Sequence, residues 1–281
     1  MTGIDYHSDE LFNTNDTYKL SLIFSEDNFL YALSSRISGK IMAVKEFDRA
    51  EPDFFNGHSV LEKIFKDENL FDDRIKEVNA AIVNKDFMLV PAQFYNPEAK
   101  KRLLQNITVK TYLEDFKVLD NKIDSAGAVS IYIFPAMLYD FLQSQYKKVR
   151  YFHANDALVN NAIETVDKDD FLLANFNYGY LQTIVFKNKK FIQSNVYSLR
   201  SKEDILYRIL HNLQNQAMPV NSAGVILSGR LERDSAIFEL IYNHIKNTGF
   251  IRNISRYNFS NVFLGKPVHL FYDLYALDKC A

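Results

Sequence analysis

Leu227-Ser228-Gly229 puts a serine at the end of an apolar run, the setting of a nucleophile on a strand-to-helix turn. Such a turn needs the frame Gly-x-Ser-x-Gly, whose small residues permit a sharp backbone. Ile226 stands where the first glycine belongs, so a plain turn serine is the simpler reading. His58, His153, His211, His244 and His269 show no metal-ligand spacing and no companion cysteines. His244 falls near the apolar stripe of its helix and reads as a satisfied, half-buried histidine. Asp72-Asp73, and Asp167 with Asp169-Asp170, have metal-type carboxylates but read as solvated turn acids before strands. Lys187-Asn188-Lys189-Lys190 lies between Phe186 and Phe191, a mixture of bases and rings that suits single-stranded nucleic acid. The alternation there puts both rings in a sheet, and lysines at a hairpin tip guard against edge pairing. Lys100-Lys101-Arg102 reads as the wet face of a helix. Phe54-Phe55 precedes a helix as a hydrophobic staple or a partner contact.

Composition narrows the classes. The 281 residues are enough for two cores. A net charge of −2 gives no global field for nucleic acid or an anionic membrane. Nine glycines are few for chemistry that relies on glycine-rich phosphate loops. The single cysteine, Cys280, cannot form an internal disulfide; it reads as an exposed tail residue in a reducing compartment. The start has no basic segment followed by an apolar one, and no apolar run approaches the roughly 20 residues that span a bilayer. A cytoplasmic location is the expectation.

The elements that must position these residues follow from periodicity. Residues up to about Asp16 are polar and expected to be loose. Leu20, Leu22 and Phe24 alternate in a first strand; Ser25-Glu26-Asp27-Asn28 is a turn cluster; Phe29–Leu33 returns, and Ile41–Phe47 is a third strand. Ser59 is expected to cap a helix with Glu62 as its capping-box partner. Strands follow near Glu77–Val83 and Phe87–Pro91, a helix after Asn96-Pro97, strand character over Thr108–Leu119, a loop over Asn121–Gly127 and an apolar strand over Val129–Phe134. Pro135 opens a helix, Val149–His153 is a short strand, and a helix covers Asn155–Glu164. The pattern of the start then repeats: Phe171–Phe176, Tyr180–Phe186 and Phe191–Ser198 are strands, with a helix capped by Ser201. Val225–Leu227 is a buried strand, Asp234 caps the next helix, Phe250–Ser255 is a last strand, and Leu270–Leu277 a terminal helix.

A strand hairpin, a third strand and a helix, repeated after about one domain length, resemble the actin/hexokinase/heat-shock-chaperone superfamily. More narrowly, the chain resembles a bacterial family of unknown function with an actin-like ATPase fold. The likeness is carried by Phe87-Met88-Leu89-Val90-Pro91-Ala92-Gln93-Phe94-Tyr95, Ala174-Asn175-Phe176-Asn177-Tyr178-Gly179, Ile226-Leu227-Ser228-Gly229-Arg230 and Asp273-Leu274-Tyr275-Ala276-Leu277. By architecture it is also similar to the cytoplasmic scaffolds of type IV pilus and type II secretion machines. The resemblance implies an α/β fold of two duplicated actin-like, ribonuclease H-like lobes, with mixed sheets and flanking helices around a cleft. The expected division is 1–16 loose, 17–155 the first lobe and 156–281 the second.

The resemblance also implies a nucleotide between the lobes. In active members each lobe's first turn supplies an acid with glycine beside it, and a later glycine pair receives the adenosine. Glycine lets backbone N–H groups approach phosphate, and the acid holds Mg²⁺ through water. This chain departs in all three places. Its first turn has Glu26 and Asp27 but no glycine or lysine, and two carboxylates repel a triphosphate. Asn175 and Asn177 stand near the second acid and glycine positions, Gly179 falls two residues late, and Ser228-Gly229 keeps one glycine of the third site. The candidate nucleotide contacts are therefore Ser25, Asp27, Asn175, Asn177, Gly179, Ser228 and Gly229, with no catalytic or metal-binding residue assigned. The residues establish no cofactor; the resemblance implies ATP with Mg²⁺. Three functions remain open: a catalytically weak or inactive cleft protein that scaffolds an unknown protein partner, an ATPase or phosphotransferase with atypical ligands, and a peptide-binding module of a pilus or secretion machine. In the second, Asp27 serves the metal, and Asn175, Asn177 and Ser228 the phosphates.

Overall fold

The computed structural model describes residues 4–12, 15–26, 28–48, 58–106, 108, 113–177, 179–252 and 256–280. In chain order, the first half runs β1 (Asp5–His7), β2 (Tyr18–Phe24), β3 (Asn28–Ser35), β4 (Lys40–Asp48), α1 (His58–Asp67), β5 (Ile75–Ile82), β6 (Phe87–Pro91), α2 (Lys100–Gln105), β7 (Phe116–Ile123), β8 (Ala128–Pro135), α3 (Ala136–Gln145) and β9 (Val149–His153). The second runs α4 (Ala154–Thr165), β10 (Phe171–Asn177), β11 (Tyr180–Lys187), β12 (Lys190–Ser198), α5 (Lys202–Asn215), β13 (Gly224–Gly229), α6 (Ala236–His244), β14 (Thr248–Phe250), β15 (Asn258–Phe259) and α7 (Tyr272–Asp278).

Two large sheets share one strand order. In the first it is β1-β4-β3-β2-β5-β9, with β15 added beside β4; in the second it is β12-β11-β10-β13-β14. In each, two hairpins make a meander and the next strand then lies parallel to its first strand. Both faces of these sheets are covered, which is why their strands read as nearly continuous apolar runs. In β2, Leu20, Leu22 and Phe24 pack with Leu61 and Phe65 of α1 and Leu138 of α3, while Ile23 faces the opposite core. In β10, Leu172, Ala174 and Phe176 face α5 and α6, and Phe171 and Leu173 face the same central core as Ile23. That central layer holds α4 and α7 between the sheets. Every residue of α7 is buried, as expected of a helix apolar on nearly all sides. Its Tyr272, Leu274, Tyr275 and Leu277 each contribute on the order of 2 kcal/mol by leaving water.

Several elements differ from expectation. Residues 5–7, expected to be loose, pair with β4, because an outer strand offers unpaired main-chain groups and Tyr6 sets its ring edge-on to Phe263 and Phe271. The strand expected over Thr108–Leu119 is Phe116–Ile123 instead, where pairing with apolar β8 carries the ladder through polar Asn121 and Lys122. Helix α1 already includes His58, so Ser59 is not its cap. Ser235, not Asp234, caps α6 by accepting the Phe238 N–H at 3.2 Å. His244 is exposed rather than half-buried, bonded to the Leu240 carbonyl at 2.9 Å. Cys280 is buried, not an exposed tail thiol, because α7 carries the chain end between the sheets; burial pushes its thiol up to about 12. Phe54-Phe55 lies outside the described residues. No helix among the described residues is long and apolar enough to cross a membrane.

Candidate functional site

The first turn joins β2 to β3. Ser25 is fully buried and its hydroxyl donates back to Asn28, at the main-chain oxygen (3.4 Å) and at Oδ1. Its N–H closes the turn on the Asn28 carbonyl at 2.9 Å. The Ser25 side chain therefore faces its own hairpin. Asp27 lies outside the described residues. Glu26 is exposed on a pocket of about 590 Å³ whose other charged lining residues are Glu114 and Asp115. Ile82, Phe116 and Met137 supply its apolar wall. Three carboxylates, and no base among the described lining residues, make this pocket unfavourable for a polyphosphate. Among the described residues, no group of three or more His, Cys, Asp or Glu is placed to hold a metal ion.

The second turn is built from the sheet. Parallel pairing sets Asn175 opposite Ser228, and antiparallel pairing sets it opposite Gln182. Directly opposed residues share a face, so three polar side chains meet on the side covered by α7. Ser228 Oγ donates to Asn175 Oδ1 at 2.8 Å, and Asn175 Nδ2 donates to Gln182 Oε1 at 2.8 Å. Gln182 Nε2 in turn donates to Asn155 Oδ1 of α4 at 2.5 Å. Asp273 of α7 closes the network: its Oδ2 accepts from Asn177 Nδ2 at 2.9 Å and from Asn175 Nδ2 at 3.4 Å, and its Oδ1 accepts the Leu274 N–H at 2.9 Å. All of these side chains are buried. Burial raises the Asp273 carboxyl, against the lowering pull of those donors and of Arg230.

The glycines have backbone explanations. Gly179 has φ +72 and open space around it, and serves the turn between β10 and β11. Gly229 has φ +78, and a Cβ there would lie 2.1 Å from the Phe176 oxygen. Only glycine lets β13 leave the sheet so close to β10. The next residue, Arg230, donates its N–H to that same oxygen at 2.7 Å. Its guanidinium stacks 4.5 Å from the Phe271 ring centre and pairs with Glu46 of β4, so one ion pair links the exit of the second sheet to the first. Burial pulls the guanidinium down to about 10.

A family model, "Protein of unknown function (DUF3822)", matches residues 9–248 of the chain. The chain belongs to that family. No curated protein matches it. Among solved structures it is similar to a Bacteroides thetaiotaomicron protein with an actin-like ATPase fold and unknown function, at 18% identity, with 96% of this chain and 99% of that chain covered and a TM-score of 0.78. It is similar to a chain of a PilM-PilN type IV pilus biogenesis complex at 11% identity, covering 92% and 96%, with a TM-score of 0.63. The ethanolamine utilization protein EutJ from Carboxydothermus hydrogenoformans is 8% identical, with 93% and 88% covered and a TM-score of 0.51. At these identities the likeness is one of fold, and the fold is the actin-like ATPase fold.

Of the candidate residues, the structure joins Asn175, Asn177 and Ser228 in one network and seats Gly229 against Phe176. It does not join Ser25 or Gly179 to them by any hydrogen bond among the described residues. Asp273, Arg230 and Glu46 were not among the candidates. Asp273 carried a signal: it is the one charged residue within the apolar run Leu270–Leu277, where an acid needs a partner. Glu46 and Arg230 look like ordinary surface charges in the sequence. A third device, also unforeseen, starts α4. His153 Nδ1 accepts the Asn155 N–H at 3.2 Å, and Asp156 Oδ2 accepts the His153 N–H at 3.1 Å. Because Nδ1 accepts, Nε2 carries the proton and donates to the Asn84 carbonyl at 3.1 Å. Burial holds His153 down to about 4 and pushes Asp156 up to about 7.

Proposed function

We propose that the chain is a binding or assembly scaffold on an actin-like frame, with one lobe over residues 17–155 and a second over 156–281. Its cleft takes nucleotide weakly or not at all and does not turn it over efficiently. The observation that carries this reading is the closed network of Asn175, Asn177, Ser228 and Asp273. The polar groups expected to meet phosphate bond one another and the terminal helix. A phosphate entering there would have to break these bonds beside a buried carboxyl, and each group left unsatisfied costs about 1–3 kcal/mol. The carboxylates around the first turn add repulsion. A protein partner is supported by the pilus biogenesis complex among the structures of this fold. This reading places the protein in the cytoplasm.

The test is steady-state hydrolysis of Mg-ATP by the full chain, beside isothermal titration with the same ligand. The expected result is no turnover above background and weak or no heat. Turnover above roughly 1 s⁻¹, inside the usual enzyme range, overturns the proposal.

A further inference from the structure

Two outer strands meet at one groove. β6 ends the three-stranded sheet β6-β8-β7, and β12 ends the second large sheet, so among the described residues each has a ladder on one side only. Between them lies a groove of about 600 Å³. Six consecutive residues, 191–196, line one wall; the other is made of 87–89 with Pro91 and of 126–128 at the start of β8. Side chains alternate along a strand. The 191–196 wall is therefore the edge of β12, carrying main-chain N–H and C=O groups, and not one of its faces.

The walls also carry apolar and charged chemistry. Phe87, Leu89 and Phe191 pack partly against the central core and leave part of their surface to the groove. A bulge in the β11–β12 ladder sets Gln193 opposite Val185 and Phe191 opposite Phe186. The extra residue, Ile192, lines the groove and is 39% exposed. Phe94, just beyond β6, is 72% exposed. Among the described residues no acidic one lines the groove, whereas Lys85 does, and Lys190 precedes the β12 wall; both lysines are exposed. Asn155 Nδ2 donates to Ser194 Oγ at 2.6 Å and to the Asn195 carbonyl at 3.4 Å, which leaves the main chain of 191–194 as the open stretch. Paired residue for residue, the stretch 191–194 takes about four residues of an added strand.

We propose that this groove binds an extended segment of a partner protein, about four residues long, with apolar side chains and acidic flanks, added as a strand along 191–194 of β12. Main-chain bonds supply the affinity, the Phe87–Leu89 wall and Ile192 read alternate apolar side chains, and the two lysines select the flanks. Single-stranded nucleic acid fits less well, because Phe186 is fully buried and offers no face for stacking. The proposal rests on the scaffold reading for its use, and its test is independent of nucleotide.

The test is fluorescence anisotropy of the full chain with fluorescein-labelled octapeptides, titrated without ATP. One has four alternating valines and threonines between pairs of aspartates; a second has lysine flanks. Two others carry proline at alternate positions of the first, removing the main-chain donors of one register at a time. Saturable binding of the acidic peptide is expected, lost with proline in one register and kept in the other. Lys85→Glu with Lys190→Glu should weaken it about tenfold and favour the lysine-flanked peptide. Ile192→Asp should weaken both, with circular dichroism unchanged. No saturable binding, equal binding to the charge-reversed chain, or tolerance of proline in both registers overturns the proposal. So does sedimentation showing a dimer that Ile192→Asp dissociates, since a second copy would then be the occupant. An active ATPase that still binds the peptide removes the scaffold reading alone; an inactive chain that binds no peptide removes the groove alone.

Discussion

Replacing Gly229 by alanine tests whether this glycine serves packing within the second sheet. Two costs add. At φ +78 an alanine is in the left-handed region, worth about 1–2 kcal/mol. Its Cβ would also lie 2.1, 2.7 and 2.8 Å from the Phe176 oxygen, nitrogen and carbonyl carbon. These are backbone atoms of β10, which cannot rotate aside, so β13 must move, at a further cost of about 1–3 kcal/mol or more. The sum is about 2–5 kcal/mol, a large part of a typical stability of about 5–15 kcal/mol. Gly179 supplies the control, because it has φ +72 but nothing within 4 Å of a Cβ; Gly179→Ala should cost only the left-handed part, about 1–2 kcal/mol. Urea unfolding of both variants, followed by far-ultraviolet circular dichroism, reads the two costs. A Gly229→Ala loss no greater than that of Gly179→Ala would refute the close-approach argument.

The His153–Asp156 cap predicts a pH dependence that one substitution should uncover. His153 titrates at about 4 in the fold against 6.5 when exposed, so its contribution is present above 6.5 and falls by roughly 3 kcal/mol as pH drops through 4. Asp156 titrates at about 7 against 3.8, so stability is highest below 3.8 and falls by roughly 4 kcal/mol as pH rises through 7. Between about 4 and 6.5 the two slopes oppose; Asp156→Asn should leave the histidine's alone, and urea midpoints that stay flat between those limits would contradict this. Arg230→Ala should destabilise by about 3–5 kcal/mol, because it leaves Glu46 buried with less compensation. The double variant with Glu46→Gln should lose clearly less than the two single changes together in the same unfolding assay. Cys280, buried with its thiol pushed up, should react with Ellman's reagent many times more slowly in the native chain than in urea; equal rates would place it at the surface.

Local chemistry determined much of this molecule. Alternating apolar residues in 18–24 and 171–176, turn clusters between them, and stripes such as Ile205, Ile209 and Leu213 in α5 were readable because strand and helix periods act over a few residues. The order of these elements carried the actin-like fold. Adjacent caps were harder, since Asp234 and Ser235 are both good cap residues and only the helix's final placement selects the serine. The network around Asp273 was legible only in part: the acid stands out within an apolar run, but its partners do not. Its acid and Asn175 lie 98 residues apart, and no local pattern says that an asparagine will face a helix and not a phosphate. The burial of Cys280, the Arg230–Glu46 pair and the groove between β6 and β12 have the same origin. Each depends on which surfaces the two sheets bring together around α4 and α7, and that is set by three-dimensional packing of both cores at once, not by any stretch of chain on its own.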